Sequence, residues 1–164
     1  MAGAPMRALQ QGCIQIGERF FQGKKRPYER FYTIEYNADL KETVVDNKEQ
    51  YMQAIQQAKA GGGTNFMIVF QRIMEILEQF PNTKEVVVIF ITDGEDTLYV
   101  KDNPNKYAEF SEIGLQIKTR PNLKSRFMTI GFSRDHQAAF MNEIAGYGTE
   151  VGNFIFVDSY EAGY

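Results

Sequence analysis

Two clusters of oxygen-bearing side chains are the residues of this sequence that could do chemistry. Asp93, Glu95 and Asp96 follow directly on the apolar run Val86–Thr92, and a glycine loop, Gly61-Gly-Gly-Thr-Asn65, lies upstream. Carboxylate, hydroxyl and amide oxygens are the ligands that Mg²⁺ and similar hard cations take in proteins. Ligands gather at the carboxyl ends of the strands in open α/β sheets. We therefore expect the glycine loop and Asp93 to share one site.

The run Val86–Thr92 is the element that must position Asp93. Its residues are apolar without alternation, a pattern that favours a strand covered on both faces, as in a parallel sheet. Such a strand would deliver Asp93 to the edge of the sheet at its carboxyl end. The alternative for Asp93 is a turn carboxylate that caps the loop before Gly94.

The other patterns predict strands and helices in alternation. In order, they are a helix from Pro5 to Phe20, the hairpin strands Arg30–Tyr36 and Lys41–Val45, a helix with a capping box at Asp46 and Glu49, a helix capped by Thr64 or Asn65, the strand Val86–Thr92, a helix ending before Pro121, the strand Lys124–Phe132, a helix capped by Asp135 and the strand Asn153–Val157. Helices between successive strands imply parallel crossovers. The fold class is therefore α/β, a single domain over residues 1–164 with a three-layer, doubly wound, mostly parallel sheet and helices on both faces.

Composition narrows the class of function. A net charge of -3 and a pI near 5.3 give no basic face for nucleic acid. No apolar stretch approaches the about 18 residues of a membrane span, and the first residues lack the pattern of a signal peptide. The single cysteine, Cys13, excludes an intrachain disulfide and is consistent with a reducing, cytoplasmic compartment. His136 is the only histidine, so no catalytic triad can be assembled around it.

Two motifs resemble those of the von Willebrand factor type A domain. They are Gly-Gly-Gly-Thr-Asn-Phe, which ends at Phe66, and Val-Ile-Phe-Ile-Thr-Asp-Gly-Glu, which ends at Glu95. The opening segment Met1–Arg7 is similar to the part of that family just after its first strand, and Ile130–Phe132 is similar to its fifth strand. The resemblance covers nearly the whole chain. It implies a module that binds a protein partner at the carboxyl-end face of the sheet and is not an enzyme.

The resemblance also implies a metal-ion-dependent adhesion site for Mg²⁺ or a similar cation. In the family, three loops hold the ion: an Asp-x-Ser-x-Ser after the first strand, a Thr in a glycine loop and an Asp after the fourth strand. By motif match, the metal ligands here are Thr64 and Asp93, and an acidic residue of the protein partner completes the shell. The alternative for Thr64 is a helix N-cap. The rim that meets the partner is formed by Gly63, Asn65, Gly94, Glu95 and Tyr99.

The third element of that site is absent from the sequence, because no Asp-x-Ser-x-Ser occurs in it. The resemblance places the missing first strand in the centre of the sheet, between Arg30–Tyr36 and Val86–Thr92. Three alternatives follow: the chain is an N-terminally incomplete fragment, another chain donates the strand, or the two flanking strands pair directly. With two of three ligand loops, we expect Mg²⁺ binding to be weak or absent.

Two other functions stay open at this stage. One is a Mg²⁺-dependent phosphoryl-transfer enzyme of a doubly wound fold, which would use Asp93 and a second acid. The only other acid after a strand end is Asp158, and its position is poor. The other function is a metal-free structural subunit, which the missing ligands would suit.

Overall fold

The computed structural model describes residues 4–22, 28–59, 63–92, 104–132 and 138–157. After an initial helix, a hairpin and two successive helices, strands and helices alternate along the chain, as a doubly wound α/β fold requires. The elements are α1 (Ala4–Phe20), β1 (Tyr32–Tyr36), β2 (Leu40–Val44), α2 (Lys48–Gln57), α3 (Met67–Gln79), β3 (Glu85–Thr92), a 3₁₀ turn (Pro104–Lys106), α4 (Tyr107–Lys118), β4 (Lys124–Phe132), α5 (Ala138–Ala145) and β5 (Asn153–Val157). The predicted fold class is confirmed.

The strands form two separate sheets in the described part of the chain. β1 and β2 pair as an antiparallel hairpin, and β3, β4 and β5 form a parallel sheet in that order. The parallel strands are joined by helices, which confirms the predicted crossovers. No ladder joins β1 to β3 within the described ranges. The alternative that these two strands pair directly is therefore wrong.

Most predicted boundaries agree with the structure, and the last two strands match at both ends. The hairpin strands differ by one or two residues: β1 begins at Tyr32 rather than Arg30, and β2 spans Leu40–Val44 rather than ending at Val45. Strand ends in a hairpin are set by the ladder, which here runs from the Tyr32–Val44 pair to the Tyr36–Leu40 pair.

The cap of α2 differs from the prediction. The side chain of Asn47 accepts a hydrogen bond from the amide of Gln50 at 2.9 Å, and Gln50 Oε1 accepts one from the amide of Asp46 at 2.7 Å. The capping box predicted at Asp46 and Glu49 is thus wrong by one residue. Aspartate and asparagine are equally good caps, and here they are adjacent in the sequence. Which of them caps the helix therefore depends on the residue at which the helix begins.

The core is built from aromatic rings between the parallel sheet and helices α3, α4 and α5. Phe70 of α3 is fully buried; its ring centroid lies 5.5 Å from that of Phe110 and 5.6 Å from that of Phe90. Phe66 is also fully buried and meets Phe90 edge to face at 5.0 Å. These contacts fix α3 against β3, the strand that leads to Asp93.

β3 is less buried than the sequence predicts. Phe90 and Thr92 are buried, but the other apolar residues of β3 are only partly so, and the side chain of Val87 is 49% exposed. The prediction that this strand is covered on both faces is therefore wrong. The physical reason is that, among the residues that the structure describes, β3 is hydrogen-bonded to a neighbouring strand along one edge only.

One ion pair ties the hairpin to the core. Arg72 of α3 donates to both carboxylate oxygens of Glu42 on β2, at 2.7 Å and 2.9 Å, and also to Glu75 at 3.1 Å. The hydrogen bonds to Glu42, followed by those to Glu75, raise the pKa of Arg72 above its ordinary range. Bidentate pairing fixes direction as well as distance, so the hairpin is held at a defined angle to α3 although no ladder joins the two sheets.

Candidate functional site

The carboxyl ends of β1 and β3 meet through a tyrosine. Tyr36, the last residue of β1, donates its hydroxyl to the carbonyl oxygen of Ile91 at 3.0 Å. Its ring stacks on Phe90, with 5.5 Å between the centroids and 16° between the planes. The two strand ends therefore lie at the same edge of the molecule.

The glycine loop reaches this same edge. The backbone amide of Asn65 donates to the carbonyl of Asn37 at 3.0 Å, and Asn37 follows directly after β1. Phe66, the next residue of the loop, packs its ring edge to face against the stacked rings of Tyr36 and Phe90, at 6.0 Å and 5.0 Å. The loop is thus anchored beside the ends of β1 and β3 by one backbone hydrogen bond and one buried ring.

Within the loop, the three predicted site residues have different roles. Gly63 is exposed and has a φ of 43°, in the left-handed region that favours glycine. Asn65 Oδ1 accepts from the amide of Met67 at 3.1 Å, so Asn65 makes the side-chain hydrogen bond at the start of α3. Thr64 is half-buried and lines the space between β1 and β3. The residue at the N-cap position of α3 is Phe66, which makes no side-chain cap bond, so the cap predicted at Thr64 or Asn65 is wrong by one or two residues.

The other predicted site residues, Asp93, Gly94, Glu95 and Tyr99, lie outside the described residues, as do His136 and Asp158. Asp93 follows Thr92, the buried last residue of β3, in sequence. That Thr64 and Asp93 share a metal stays a prediction. Among the described ranges no group of three or more His, Cys, Asp or Glu side chains could hold a metal ion. Thr64 is the one predicted ligand that the structure describes, so the described donors alone do not make a Mg²⁺ site.

A cleft separates β1 from β3 below this edge. Its volume is about 1380 Å³, and its walls are the two strands together with side chains of α1 and α3. The resemblance implies a strand at this position, and no strand of the described ranges occupies it. In the part of the chain that the structure describes, no helix is long and apolar enough to cross a membrane.

Cys13 of α1 lies on the wall of the cleft with 8% of its surface exposed. Burial raises the pKa of its thiol to about 11. Its carbonyl accepts a hydrogen bond from the hydroxyl of Tyr51 at 2.6 Å, which ties α1 to α2. Because the thiolate is the reactive form, Cys13 is a slow nucleophile at neutral pH and serves as a reporter of access to the cleft.

The hydrogen bond between Tyr36 and Ile91 can be tested by one substitution. We expect Tyr36→Phe to lower the free energy of unfolding by about 0.5–1.5 kcal/mol, because the ring stays and only the hydroxyl is lost. Urea denaturation followed by circular dichroism measures the change. Tyr32→Phe, at the other end of β1, is the matched control and should change stability by less than about 0.5 kcal/mol. Equal effects of the two substitutions would show that the Tyr36 hydroxyl does not hold the two sheets together.

Comparison with known proteins supports the fold. No protein-family model matches the sequence, and no curated protein matches it. Among solved structures, a von Willebrand factor type A protein from Catenulispora acidiphila matches 94% of this chain with a TM-score of 0.65 at 14% identity. The ArnB paralog VWA2 from Sulfolobus acidocaldarius matches 91% with a TM-score of 0.57 at 21% identity. This chain spans 35% and 36% of the length of those two chains.

The chain is thus a doubly wound α/β domain. Such a domain presents loops at the carboxyl ends of its strands, and here the ends of β1 and β3 form that edge. More particularly, the chain has the fold of a von Willebrand factor type A domain. The resemblance seen in the two sequence motifs is confirmed at the level of the fold.

Proposed function

We propose that this domain is a protein-interaction module that binds an acidic residue of its partner at the carboxyl-end edge of the sheet. The observation that carries the proposal is the anchoring of the glycine loop at this edge. The amide of Asn65 donates to the carbonyl of the residue that follows β1, and the ring of Phe66 packs edge to face against those of Tyr36 and Phe90. A loop held on rigid elements presents its backbone and side chains in a fixed geometry, as recognition requires.

Thr64 and Asp93 are the proposed ligands of a divalent cation at this edge, and the rim consists of Gly63, Asn65, Gly94, Glu95 and Tyr99. Mg²⁺, when bound by such oxygens, keeps open positions that a partner's carboxylate can fill. With the Asp-x-Ser-x-Ser loop missing, the site is incomplete and the affinity for the metal is low. The interaction then needs enough Mg²⁺ to load a weak site, because a partner's carboxylate would otherwise be repelled by those of Asp93 and Glu95; binding is therefore tested with MgCl₂ in excess.

The test of partner binding is a selection of peptides from a random displayed library on the immobilised domain. We expect the selected peptides to be enriched in Asp or Glu. Thr64→Val and Asp93→Asn should each weaken their binding by about tenfold or more, or about 1.4 kcal/mol. Lys124→Ala, an exposed change at the amino end of β4, is the matched control and should leave binding unchanged. Peptides without acids, or peptides that bind both edge variants as tightly as the original chain, would contradict the proposal.

Metal binding is tested separately by calorimetric titration with MgCl₂. We expect no binding tighter than millimolar, because two of three ligand loops leave the octahedral shell of Mg²⁺ underfilled. Tight, stoichiometric binding that Asp93→Ala abolishes would instead show a complete site built from this chain alone. The enzyme alternative predicts turnover of a phosphate ester, such as p-nitrophenyl phosphate, that Asp93→Asn removes. The proposed interaction module shows none.

A further inference from the structure

We propose that Gln10 of α1 and Glu35 of β1 are positioning residues for the partner-binding edge, because together they clamp one peptide group at the entry to the glycine loop. That peptide group joins Ala58 to Lys59, just after α2. The role of the clamp in binding rests on the proposed function of this edge. The clamp also orders the loop in the free protein, where it can be tested without a partner.

Both polar groups of this peptide bond are held by a side chain. Nε2 of Gln10 donates to the carbonyl oxygen of Ala58 at 3.2 Å, and Oε1 of Glu35 accepts from the amide of Lys59 at 2.8 Å. The C=O and N–H of a trans peptide group point in opposite directions and form one dipole. The amide donor and the carboxylate therefore hold the same plane from opposite sides, one from α1 and the other from β1.

The orientation of the Gln10 side chain is fixed by a second hydrogen bond. The same Nε2 donates to the carbonyl of Ile55 at 3.1 Å, in the last turn of α2. A side-chain amide has two N–H donors, and both are directed at carbonyls here. Turning the amide over would set its oxygen against the carbonyls of Ile55 and Ala58. Gln10 therefore satisfies the end of α2 and holds the peptide plane that follows it.

The way in which α2 ends explains why a clamp matters here. Many helices end in a left-handed glycine, which sets the direction of the chain. The C-cap of α2 is instead Ala58, with a φ of -60° and a ψ of 134°, and the first glycine is Gly61. After an extended residue, the next peptide plane can turn over by coupled rotations at Ala58 and Lys59. Such a flip would point the carbonyl at the carboxylate of Glu35 and the N–H at the NH₂ group of Gln10, so the clamp selects one orientation.

The exit of the loop is held at the end of the same strand. The carbonyl of Asn37 accepts from the amide of Asn65 at 3.0 Å, and Asn37 follows Glu35 by two residues. Asn37 is itself fixed by the turn of the hairpin, because its amide donates to the carbonyl of Asp39 at 3.0 Å and its Oδ1 accepts from the amide of Asp39 at 2.8 Å. Both ends of the segment 59–65 are thus attached to the end of β1. Holding both ends of a short loop reduces the entropy that it must lose on binding.

A second contact between the same two helices provides a matched control. The hydroxyl of Tyr51 on α2 donates to the carbonyl of Cys13 on α1 at 2.6 Å, and its ring lies against Gly17. Residues 10, 13 and 17 lie on one face of α1, so this contact and that of Gln10 both join α1 to α2. Tyr51 lies two turns of α2 before Ala58. Tyr51→Phe therefore weakens the packing of the two helices without removing the clamp.

The first test measures amide hydrogen exchange by NMR on the whole chain without a partner. We expect Glu35→Ala to speed exchange at the Lys59 amide at least about tenfold, as the loss of a charged hydrogen bond implies. Glu35→Gln keeps an uncharged acceptor of the same shape and should speed it less. Gln10→Glu replaces the donors of the clamp by acceptors of the same shape. This change and Glu35→Ala should each speed exchange at the Asn65 amide, at the other end of the loop, at least about threefold. Tyr51→Phe should leave both amides unchanged under conditions in which exchange occurs by local opening.

The second test measures binding of the tightest acidic peptide from the selection described above. The peptide is labelled with fluorescein and titrated by anisotropy with MgCl₂ in excess. We expect Gln10→Ala and Glu35→Ala each to weaken binding about three- to tenfold, because the loop loses preorganisation. Both changes act on one peptide group, so the double variant should lose no more than about twice the larger single effect, rather than the product of the two. Tyr51→Phe, although less stable in urea, should bind as tightly as the original chain.

The outcomes separate the clamp from the proposed function. Unchanged exchange at the Asn65 amide in Gln10→Glu and Glu35→Ala would show that the clamp does not order the loop. Multiplicative effects on binding, or a loss in Tyr51→Phe as large as that in Glu35→Ala, would overturn the positioning role. A selection that yields no acidic peptide would contradict the proposed function, and exchange at Asn65 would still decide whether the clamp orders the loop. Should Gln10→Glu fail to fold, Gln10→Ala replaces it in the exchange measurement.

Discussion

Phe66→Ala is expected to lower the free energy of unfolding by about 3–5 kcal/mol, the usual cost of removing a buried aromatic ring. Phe66 is fully buried, and its ring contacts those of Tyr36, Phe90 and Phe140 at centroid distances of 6.0, 5.0 and 6.0 Å. These neighbours belong to β1, β3 and α5, which cannot all move inward to fill the space. The cavity left by the ring therefore stays largely open, and the loss of stability is well above that of a substitution at the surface.

The measurement is urea denaturation followed by fluorescence and circular dichroism, with both probes required to coincide. Phe66→Leu keeps most of the volume and should cost less than half as much as the alanine variant. Phe156→Ala, at a ring that is 47% exposed on β5, is the matched control and should change stability by only about 0.5 kcal/mol or less. A loss below about 1.5 kcal/mol for Phe66→Ala would show that the ring does not bridge the two sheets as described.

The same substitution connects stability to the proposed site. Phe66 follows Asn65 directly, and its ring is one of the two anchors that hold the glycine loop at the carboxyl-end edge. Without the ring, the loop loses one of its anchors and keeps the hydrogen bond between Asn65 and Asn37. A loop that samples several positions loses preorganisation and hence affinity. Peptides selected on the original domain should therefore bind Phe66→Ala more weakly even at temperatures where it is folded.

The sequence predicts the elements of this fold better than their burial. Runs such as Lys124–Phe132 and Asn153–Val157 carry a strong local pattern, and the structure gives strands with these same bounds. Burial on both faces of β3 was wrong because it depends on a neighbouring strand, which no local pattern in β3 can report. The choice between Asp46 and Asn47 as a cap failed for a related reason: both residues suit the position, and the helix register decides.

Parts of the candidate site were likewise predictable from the sequence, and other parts were not. That the glycine loop and the end of β3 lie at one edge follows from topology, and the contacts of Asn65 and Tyr36 bring the described parts together there. That α3 has Phe66 at its N-cap rather than Thr64 or Asn65 needed coordinates, since both polar side chains are good caps. The sequence pointed to the cleft only indirectly, because no residues in it match the strand that the resemblance places between β1 and β3.

Gly152→Ala is expected to destabilise the domain by about 3 kcal/mol or more, at or above the upper end of the range for overpacked sites. A Cβ atom at this position would overlap the carbonyl oxygens of Phe127 on β4 and of Ala145 at the end of α5. Both are backbone atoms, so no side chain can rotate away to make room. Gly152 immediately precedes β5, and the chain can pass between β4 and α5 here only without a side chain.

The matched controls for Gly152→Ala are two other substitutions in the connection between α5 and β5, Val151→Ala and Gly146→Ala. Val151→Ala alters a side chain that is 87% exposed and should change stability by about 0.5 kcal/mol or less. Gly146→Ala brings a Cβ to 3.2 Å from the carbonyl of Glu143, a contact that small shifts can relieve. Calorimetry measures the midpoint of thermal unfolding of the three variants. In the described part of the chain β5 pairs with β4 alone, so Gly152→Ala should also speed hydrogen exchange along β5. Unchanged exchange would mean that the chain reaches β4 by another path.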